Sequence, residues 1–341
     1  MATKVNPVTG ALDYYEQALP PFRNKIYNGA MQIAQRGTSF STVNLVGSSF
    51  PYNLDRFCTG RANVVHNGHC TISQITGGGQ KHQITQASGT ALDGSEYFTI
   101  RQHIEGFNCF DLAGKQATLS FKVKTNKAGN YGVSFYDGTG SATITPQSIT
   151  VSSSDASAEN KVSYSKTFTM PSSITADNAS RLRLDICLAA HSNRAGEYFP
   201  TGGTQVDLFD STSNYFEIYE IQLEEGTSAT PFERRPIGTE LSLCQRYFNI
   251  LEPRYMSGQF LISNEVASQF ISLPVKMRST PTANYVALQI RENADGFSNV
   301  SVSANNRVSK EGINLVVTQS GAATSDSFII YAASIEFNAE L

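Results

Sequence analysis

Apolar and polar residues alternate with a period of two in several short segments of the chain, and this pattern constrains the fold more than any other. In the segment 117–125, Leu119, Phe121 and Val123 fall on one side and Lys122 falls on the other. An antiparallel strand with one buried face has this period, because successive side chains point to opposite faces of the sheet. The segment is therefore predicted to be a strand that packs its apolar side against a core.

The alternation continues in two later segments. Residues 131–135 resume it after turn-forming residues at 127–130, so the strands on either side of this turn are predicted to form a hairpin. Residues 181–188 alternate again, and their even-numbered members, all Leu or Ile, are predicted to point inward.

One further strand candidate combines two apolar phases. Tyr219, Ile221 and Leu223 form the predicted inward set, while Phe216 and Ile218 are out of phase with it. A one-residue bulge changes which side chains face the core, and a strand covered on both faces needs no alternation. The pattern therefore favours either a bulge or a doubly covered strand.

Strand candidates fill residues 27–235 and are joined by turns rich in Ser, Thr, Asn and Gly. Many short strands in one unit predict an all-β fold, a two-sheet sandwich of the jelly-roll type. A chain of 341 residues is too long for one small core. After a connector interrupted by Pro231 and Pro236, residues 236–251 are predicted to be a connecting helix that Thr239 caps.

The residues after this helix, 252–341, are predicted to form a smaller C-terminal β-sandwich domain. Its strand candidates are 269–275, 283–290, 313–319 and 328–337. In the last of them, residues of one face are apolar or aromatic: Ile329, Tyr331, Ala333, Ile335 and Phe337. We therefore expect this strand to lie inside a sheet.

Residues 1–26 hold too little apolar surface to fold alone. A short helix is predicted at 11–19, where Pro20 ends it. Apolar and aromatic side chains of the kind that a free arm rarely carries are Leu12, Tyr14, Tyr15 and Leu19. We interpret this leader as an anchor to another protein.

Composition and charge exclude several classes of protein. The net charge is -3 and there is no cluster of Lys and Arg, so a nucleic-acid partner is not expected. No apolar run approaches the roughly 20 residues that cross a bilayer, so membrane insertion is not expected either. The N-terminus lacks a signal-peptide core. The five cysteines have wide, irregular spacing and are predicted to be buried, reduced thiols of a protein that folds in a cytoplasm.

Sequence motifs for catalysis are absent. We find no G-x-S-x-G, H-E-x-x-H, phosphate-loop or dinucleotide-binding pattern, so we expect no enzyme activity and no cofactor. His66, His69 and Cys70 are close in sequence, but on a strand the two histidines would point to opposite faces. No metal site is predicted from them.

Loop residues offer two candidate sets of ligand-binding side chains. Acids that could hold a structural calcium are Asp137, Asp207 and Asp210. A sugar-binding surface needs exposed aromatic rings beside polar groups. Aromatic residues in or beside loops that could serve are Tyr52, Phe57, Tyr97, Tyr136 and Tyr198.

Five segments carry a family resemblance. Four of them are the N-G-x-x-x-I-x-Q-R-G pattern within 27–38, Asp-Arg-Phe at 55–57, Gln-His-Ile-Glu-Gly at 102–106, and a closing series that runs from Ile221 through Thr-Pro-Phe-Glu-Arg-Arg-Pro-Ile-Gly to Cys-Gln-Arg-Tyr-Phe at 244–248. A fifth segment is the strand pattern Gly-x-x-x-Thr-Leu-Ser-Phe-x-Val-Lys at 114–124. In these segments the chain resembles tail-fibre and receptor-binding virion proteins of tailed phages, of a marine type. Such proteins commonly carry Trp where this chain has Phe57.

The resemblance implies a sandwich like that of carbohydrate-binding modules, followed by a β domain that often forms trimers. It further implies a homotrimer in the phage virion, made in the host cytoplasm. The leader would contact other tail or capsid proteins, and the remaining domains would contribute to host attachment, with a surface glycan as ligand. The alternatives are a capsid decoration or head-fibre protein, an accessory carbohydrate-binding module of an enzyme, and a polysaccharide depolymerase.

Overall fold

The computed structural model describes most of the chain, including a continuous stretch over 144–252. The described residues are 2–5, 12–15, 22–44, 51–62, 68–89, 91–138, 144–252, 256–262, 265–266, 270–286, 289–292, 298–299, 307–314, 317–318, 327–331 and 334–341.

Strands make up most of the regular structure. In chain order they are β1 Ala2–Val5, β2 Leu12–Tyr15, β3 Ser39–Asn44, β4 Cys58–Ala62, β5 His69–Gln74, β6 Gln80–Gln86, β7 Tyr97–Glu105, β8 Gln116–Thr125, β9 Gly129–Asp137, β10 Gln147–Val151, β11 Val162–Thr169, β12 Ser180–Ala190, β13 Tyr215–Glu225, β14 Phe248–Leu251, β15 Met256–Ile262, β16 Glu265–Val266, β17 Phe270–Ser272, β18 Thr282–Val286, β19 Gln289–Glu292, β20 Ser298–Asn299, β21 Arg307–Val308, β22 Gly312–Asn314, β23 Val317–Thr318, β24 Ser327–Tyr331 and β25 Ser334–Asn338. The α-helices are α1 Gly106–Cys109, α2 Ser153–Ala156 and α3 Ile237–Gln245. Short 3₁₀ turns lie at Phe110–Leu112, Ser192–Arg194 and Leu208–Asp210.

Two antiparallel sheets form the main sandwich. One has the strand order β10-β9-β12-β7-β4 and the other has the order β11-β8-β13-β6-β5-β3. Apolar side chains from both sheets meet in one core, which includes Phe98, Phe121, Phe135, Leu184 and Phe216. The prediction of an all-β protein with a jelly-roll sandwich is confirmed.

The strands β8 and β9 do not form the predicted hairpin. They lie at the predicted positions and follow one another, yet β8 pairs with β11 and β13 while β9 pairs with β10 and β12. The turn between them, in which Gly129 has a φ of +138°, therefore passes from one sheet to the other. Local alternation shows that two strands are present, but the partner of each is set by distant segments.

The strand β13 contains a bulge, as one of the two predicted alternatives requires. Its register against β8 shifts between Tyr219 and Gln222, and Glu220 has a φ of +51°. Phe216, Ile218, Ile221 and Leu223 all reach the core as a result. Tyr219 is buried, but it precedes the bulge and lies outside that core cluster, and its hydroxyl donates to Glu217 at 2.6 Å.

The helix α3 differs from its prediction at both ends. Pro236 rather than Thr239 occupies the N-cap position, and the helix ends at Gln245. Proline suits a helix start because the first N–H groups of a helix have no partner within it. Phe248 and Leu251, predicted to be helical, lie in β14, which pairs with β25.

The C-terminal residues form three small antiparallel sheets, with the orders β14-β25-β18, β20-β19-β24-β15-β16-β23 and β17-β22-β21. The predicted strand 328–337 is represented by two strands, β24 and β25. Ile335 and Phe337 are buried as predicted, and β25 lies between two partners inside its sheet. The side chains of Ile329, Tyr331 and Ala333 are outside the described residues.

The described part of the predicted helix 11–19 is a strand instead. β2 occupies 12–15 and pairs with β1 in an antiparallel ladder in which Ala2 faces Tyr15. Two adjacent tyrosines favour strand over helix, which accounts for the difference. Leu19 and the side chains of Leu12, Tyr14 and Tyr15 are outside the described residues, so the anchoring role stays a prediction.

All five cysteines are buried and unbridged, as predicted: Cys58, Cys70, Cys109, Cys187 and Cys244. Among the described residues, no helix is long and apolar enough to cross a membrane.

Candidate functional site

The first and last segments of the family resemblance pack against each other. The N–H of Ile221 donates to the carbonyl of Gly29 at 2.9 Å, and the N–H of Lys25 donates to the carbonyl of Leu223 at 2.8 Å. The carboxylate of Glu240 in α3 accepts the N–H of Asn28. We call this contact region, formed by residues 24–38 and 221–248, the junction.

The backbone of the first segment requires Asn at position 28 and Gly at position 29. Asn28 has a φ of +56°, a conformation that Asn tolerates better than most residues. Its side-chain amide donates to the carbonyls of Ile33 and Asp55, both at 2.9 Å. A Cβ on Gly29 would lie 2.2 Å from the carbonyl oxygen of Ile221, so only glycine fits there.

Asp55 links the junction to the first strand of the C-terminal unit. It accepts the backbone N–H and the side-chain amide of Gln35, each at 2.6 Å, and the same amide donates to the carbonyl of Phe248 at 2.9 Å. Burial raises the pKa of Asp55, and the bonds from Gln35 oppose this rise. Phe57 is 1% exposed and belongs to the core, so it is not a sugar platform.

Glu105 is the centre of a second set of buried bonds. Arg246 donates to its two oxygens at 2.6 and 3.0 Å, and the hydroxyl of Tyr247 donates to it at 2.6 Å. Arg56 stacks on the ring of Tyr247, with 3.5 Å between the guanidinium carbon and the ring centre, and forms an ion pair with Glu340. The residues of the resemblance thus hold the sandwich and the C-terminal unit together.

Three of the candidate sugar-binding tyrosines come together in a buried cluster. Tyr97 and Tyr198 stack with 4.3 Å between ring centres, and Tyr136 lies 5.8 Å from Tyr198. All three are buried on the outer face of the five-stranded sheet, beneath the loop 191–206 that supplies Tyr198. These candidate rings are core residues rather than exposed sugar-binding platforms, because that loop folds back over the sheet.

Tyr52 is also engaged elsewhere. Its hydroxyl donates to the carbonyl oxygen of Leu341 at 3.0 Å, and Arg36 lies over its ring at 5.2 Å. Burial raises its pKa well above the ordinary value. Tyr52 therefore helps to pack the C-terminal residues onto the sandwich.

The calcium candidates do not converge. Asp137 is the last residue of β9, whereas Asp207 lies beside the start of the same strand. The neighbour of Asp207, Val206, donates its N–H to the carbonyl of Asn130 there. Asp207 caps a 3₁₀ turn and Asp210 forms an ion pair with Lys127. In the described part of the chain, no three His, Cys, Asp or Glu residues are placed to hold a metal ion. His66 is outside that part, and Cys70 belongs to the core.

A pocket of about 230 Å³ has the exposed aromatic groups that the tyrosines lack. Phe22, Phe107 and Phe110 line it and are 54%, 51% and 48% exposed. Its other lining residues are Asn24, Lys25, Tyr27, Asn108, Asp111 and Arg235. We call this recess the aromatic pocket.

The chain brings these rings together from three regions. Phe107 lies in α1, directly after β7, and Phe110 begins the 3₁₀ turn that follows. Phe22 is held beside them because its N–H and that of Asn24 both donate to the carboxylate of Glu233. Rigid strands and the junction therefore position an aromatic surface that is half open to solvent.

Polar groups surround the rings. Lys25 and Asp111 form an ion pair at 2.5 Å, and the amide of Asn108 donates to the hydroxyl of Tyr247 at 2.9 Å. Burial raises the pKa of Tyr27 to about 12, so its hydroxyl stays protonated at neutral pH. Nε of Arg235 is buried and has no hydrogen-bond partner among the described residues.

Sequence reasoning did not select these phenylalanines. Two Phe residues flank Asn and Cys immediately after a strand, at 107–110, where the chain leaves the core. A pair of large rings in such a loop is a usable signal. Phe22 could not be added to it from sequence, because 85 positions separate it from Phe107.

No family model and no curated protein sequence matches the chain. Solved structures to which it is similar include a carbohydrate-binding module of type CBM4, at 14% identity, a TM-score of 0.36 and coverage of 59% of this chain and 99% of that one. Another is the enzymatically active domain of tailspike protein 4 of bacteriophage CBA120, at 12% identity and a TM-score of 0.33, covering 61% of this chain and 22% of that one. A third is a putative sugar binding protein from Bacteroides thetaiotaomicron, at 11% identity and a TM-score of 0.34, covering 60% and 100%. These similarities concern the fold of the sandwich alone, and we transfer no functional residue from them.

Proposed function

We propose that the protein is a structural virion protein, a tail-fibre or receptor-binding subunit, that attaches a phage particle to a glycan on the host surface without catalysis. The observation that carries this proposal is the aromatic pocket, where Phe22, Phe107 and Phe110 are about half exposed beside polar groups.

Such a pocket suits a sugar ring. The C–H faces of a pyranose pack on aromatic rings, and hydroxyl groups at its edge bond to amides and charged groups. Asn108, Asp111 and Arg235 supply groups of these kinds beside the rings.

The size of the pocket favours weak contact at each site. At about 230 Å³ it lies below the range of about 300–1,000 Å³ of pockets that enclose whole drug-sized ligands. Several copies on one particle would convert weak single contacts into firm attachment. A homotrimer, which the family resemblance implies, would present three copies of the pocket together.

The virion assignment is supported by the resemblance of the segments within 27–38 and 221–248 to phage tail-fibre proteins. The residues of these segments build the junction, so a structural role explains why they occur together. In the proposed particle, the leader 1–26 binds a tail or capsid protein.

The proposed absence of catalysis is supported by the carboxylates near the pocket. Asp111 forms an ion pair with Lys25, and Glu233 accepts backbone N–H groups. Glycosidases use two carboxyl groups, and Asp111 is the one carboxylate in the described lining of the pocket.

The test compares binding of the purified protein to host cells and to immobilised cell-surface glycans. A double variant, Phe107→Ala with Phe110→Ala, is expected to weaken binding about tenfold or more, because ring contacts of about 0.5–1.5 kcal/mol each are lost. The matched control is Phe270→Ala, since Phe270 is 59% exposed but lies in β17, outside the sandwich.

Unchanged binding by a correctly folded double variant would overturn the glycan assignment. A changed oligomeric state instead would make the pocket a subunit interface and count against it. Release of reducing sugar from host polysaccharide would overturn the absence of catalysis. Immunogold labelling of particles tests the tail location, and deletion of residues 1–21, which spares Phe22 and the junction, should abolish incorporation.

A further inference from the structure

A second recess opens at the edge of the sandwich. It has a volume of about 630 Å³ and lies where the edge strands β10 and β11 leave the two sheets apart. Its lining comes from 137–138, 144–147, 167–175 and Arg181. We call this recess the edge cleft.

The edge cleft is apolar at its base and hydroxyl-rich at its rim. Ile144, Phe168 and Met170 are buried in its lining, whereas Ser172 and Ser173 are exposed. Apolar floors with hydroxyl-bearing rims match the two kinds of surface that a sugar presents.

The charges in the lining balance one another. The charged residues of the lining are Asp137 and Arg181, and their charges are opposite. The cleft therefore suits a neutral ligand better than a charged one.

A thin wall separates the edge cleft from the aromatic pocket. The N–H of Gly106 donates to the carbonyl of Ala179 at 3.0 Å, and that of Phe107 donates to the carbonyl of Asp177 at 3.1 Å. A Cβ on Gly106 would lie 2.1 Å from the carbonyl oxygen of Thr175. Thr175 lines the cleft and Phe107 lines the pocket, so closely packed backbone divides the two recesses.

We propose that the aromatic pocket and the edge cleft are two subsites of one site for an extended, neutral polysaccharide. One sugar ring packs on the phenylalanines, and neighbouring units of the same chain cross the wall at 175–179 and enter the cleft. This inference rests on the proposed function and specifies its ligand as internal stretches of a long glycan rather than a single terminal sugar.

The test measures affinity for oligosaccharides of increasing length, prepared by partial hydrolysis of the surface polysaccharide of cells that the protein binds. Affinity should rise with length until both subsites are filled. Ser173→Tyr, which fills the cleft from an exposed position, should weaken binding of long fragments about tenfold, or about 1.4 kcal/mol, and leave short fragments unaffected. The control is Ser95→Tyr, at an exposed position next to the opposite end of β7.

The outcomes separate the two proposals. If the wild type binds all lengths equally, or if a folded Ser173→Tyr variant binds long fragments as the wild type does, the two-subsite inference is overturned and the proposed function stands. If the wild type binds no fragment and no cells, the proposed function is overturned, and the two-subsite inference with it.

Discussion

The hydroxyl of Tyr247 donates to the carboxylate of Glu105 at 2.6 Å, and both residues are fully buried. Tyr247 follows α3, whereas Glu105 ends a central strand of the sandwich. A buried carboxylate must be compensated by hydrogen bonds or an opposite charge, and Arg246 completes the set. The junction is therefore held by polar bonds that tolerate little change in position.

Replacing Tyr247 with Phe should lower the free energy of unfolding by about 2 kcal/mol, because a hydrogen bond to a charged group contributes about 1.5–3 kcal/mol. The ring and its contact with Arg56 would remain. Urea denaturation followed by circular dichroism measures the change. Tyr215→Phe is the control, since the Tyr215 ring stacks with Lys81 at 4.8 Å and Phe would keep this contact. Equal effects of the two variants would contradict the assigned role.

Replacing Asp185 with Asn should be more damaging. Asp185 accepts Nε of Arg101 at 2.7 Å, and both side chains are at most 1% exposed. Removing one charge of such a pair leaves the other uncompensated and costs about 3–5 kcal/mol. Asp177→Asn is the matched control, because the pair of Asp177 with Arg181 is about one-third exposed and its loss should change stability little. Thermal unfolding of both variants tests the difference, and a similar small loss in each would refute it.

Two glycine substitutions should have opposite effects. Gly29→Ala should destabilise the protein, because the new Cβ would lie 2.2 Å from the backbone oxygen of Ile221. Overpacking of this kind costs about 1–3 kcal/mol. Gly238→Ala, in α3 with open space around it, should stabilise by about 0.5–1 kcal/mol, because Ala is the better helix former. A stable Gly29→Ala protein with wild-type melting behaviour would show that this close contact is not required.

His82 should make stability depend on pH. Its side chain is buried, neither ring nitrogen has a partner in the described part of the chain, and burial lowers its pKa to about 3. In the unfolded chain the pKa is about 6.5, so the unfolded state binds more protons at acid pH. The contribution of neutral His82 is complete above about pH 6.5 and is lost progressively as the pH falls toward about pH 3.

From about pH 7 to about pH 5, this loss should amount to about 2 kcal/mol for one histidine. His82→Leu should remove that part of the slope. The measurement is the difference between the pH profiles of unfolding free energy for the two proteins, in which other groups cancel. Parallel profiles would exclude the predicted effect.

Much of the fold can be predicted from local pattern. The strands β8, β9, β12 and β13 lie where the alternation indicates, and the bulge in β13 follows from its conflicting phases. The pairing of β8 and β9 cannot be predicted in this way. Alternation reports which face of a strand is buried, whereas the choice of sheet depends on segments far away in the sequence.

At the candidate site, too, residue type can be read from the sequence, whereas exposure depends on distant segments. Tyr97, Tyr136 and Tyr198 have the residue type expected of a sugar platform, yet the loop 191–206 buries them. Phe107 and Phe110 are exposed because α1 and the turn after it leave the sheet, and Phe22 joins them through Glu233.

The sequence by itself determined the all-β class and the main strands of the sandwich, because periodicity acts locally. Only the tertiary structure decided which aromatic rings face solvent and that two recesses share a wall. Exposure depends on what folds back over a side chain, and that covering comes from residues distant in the chain.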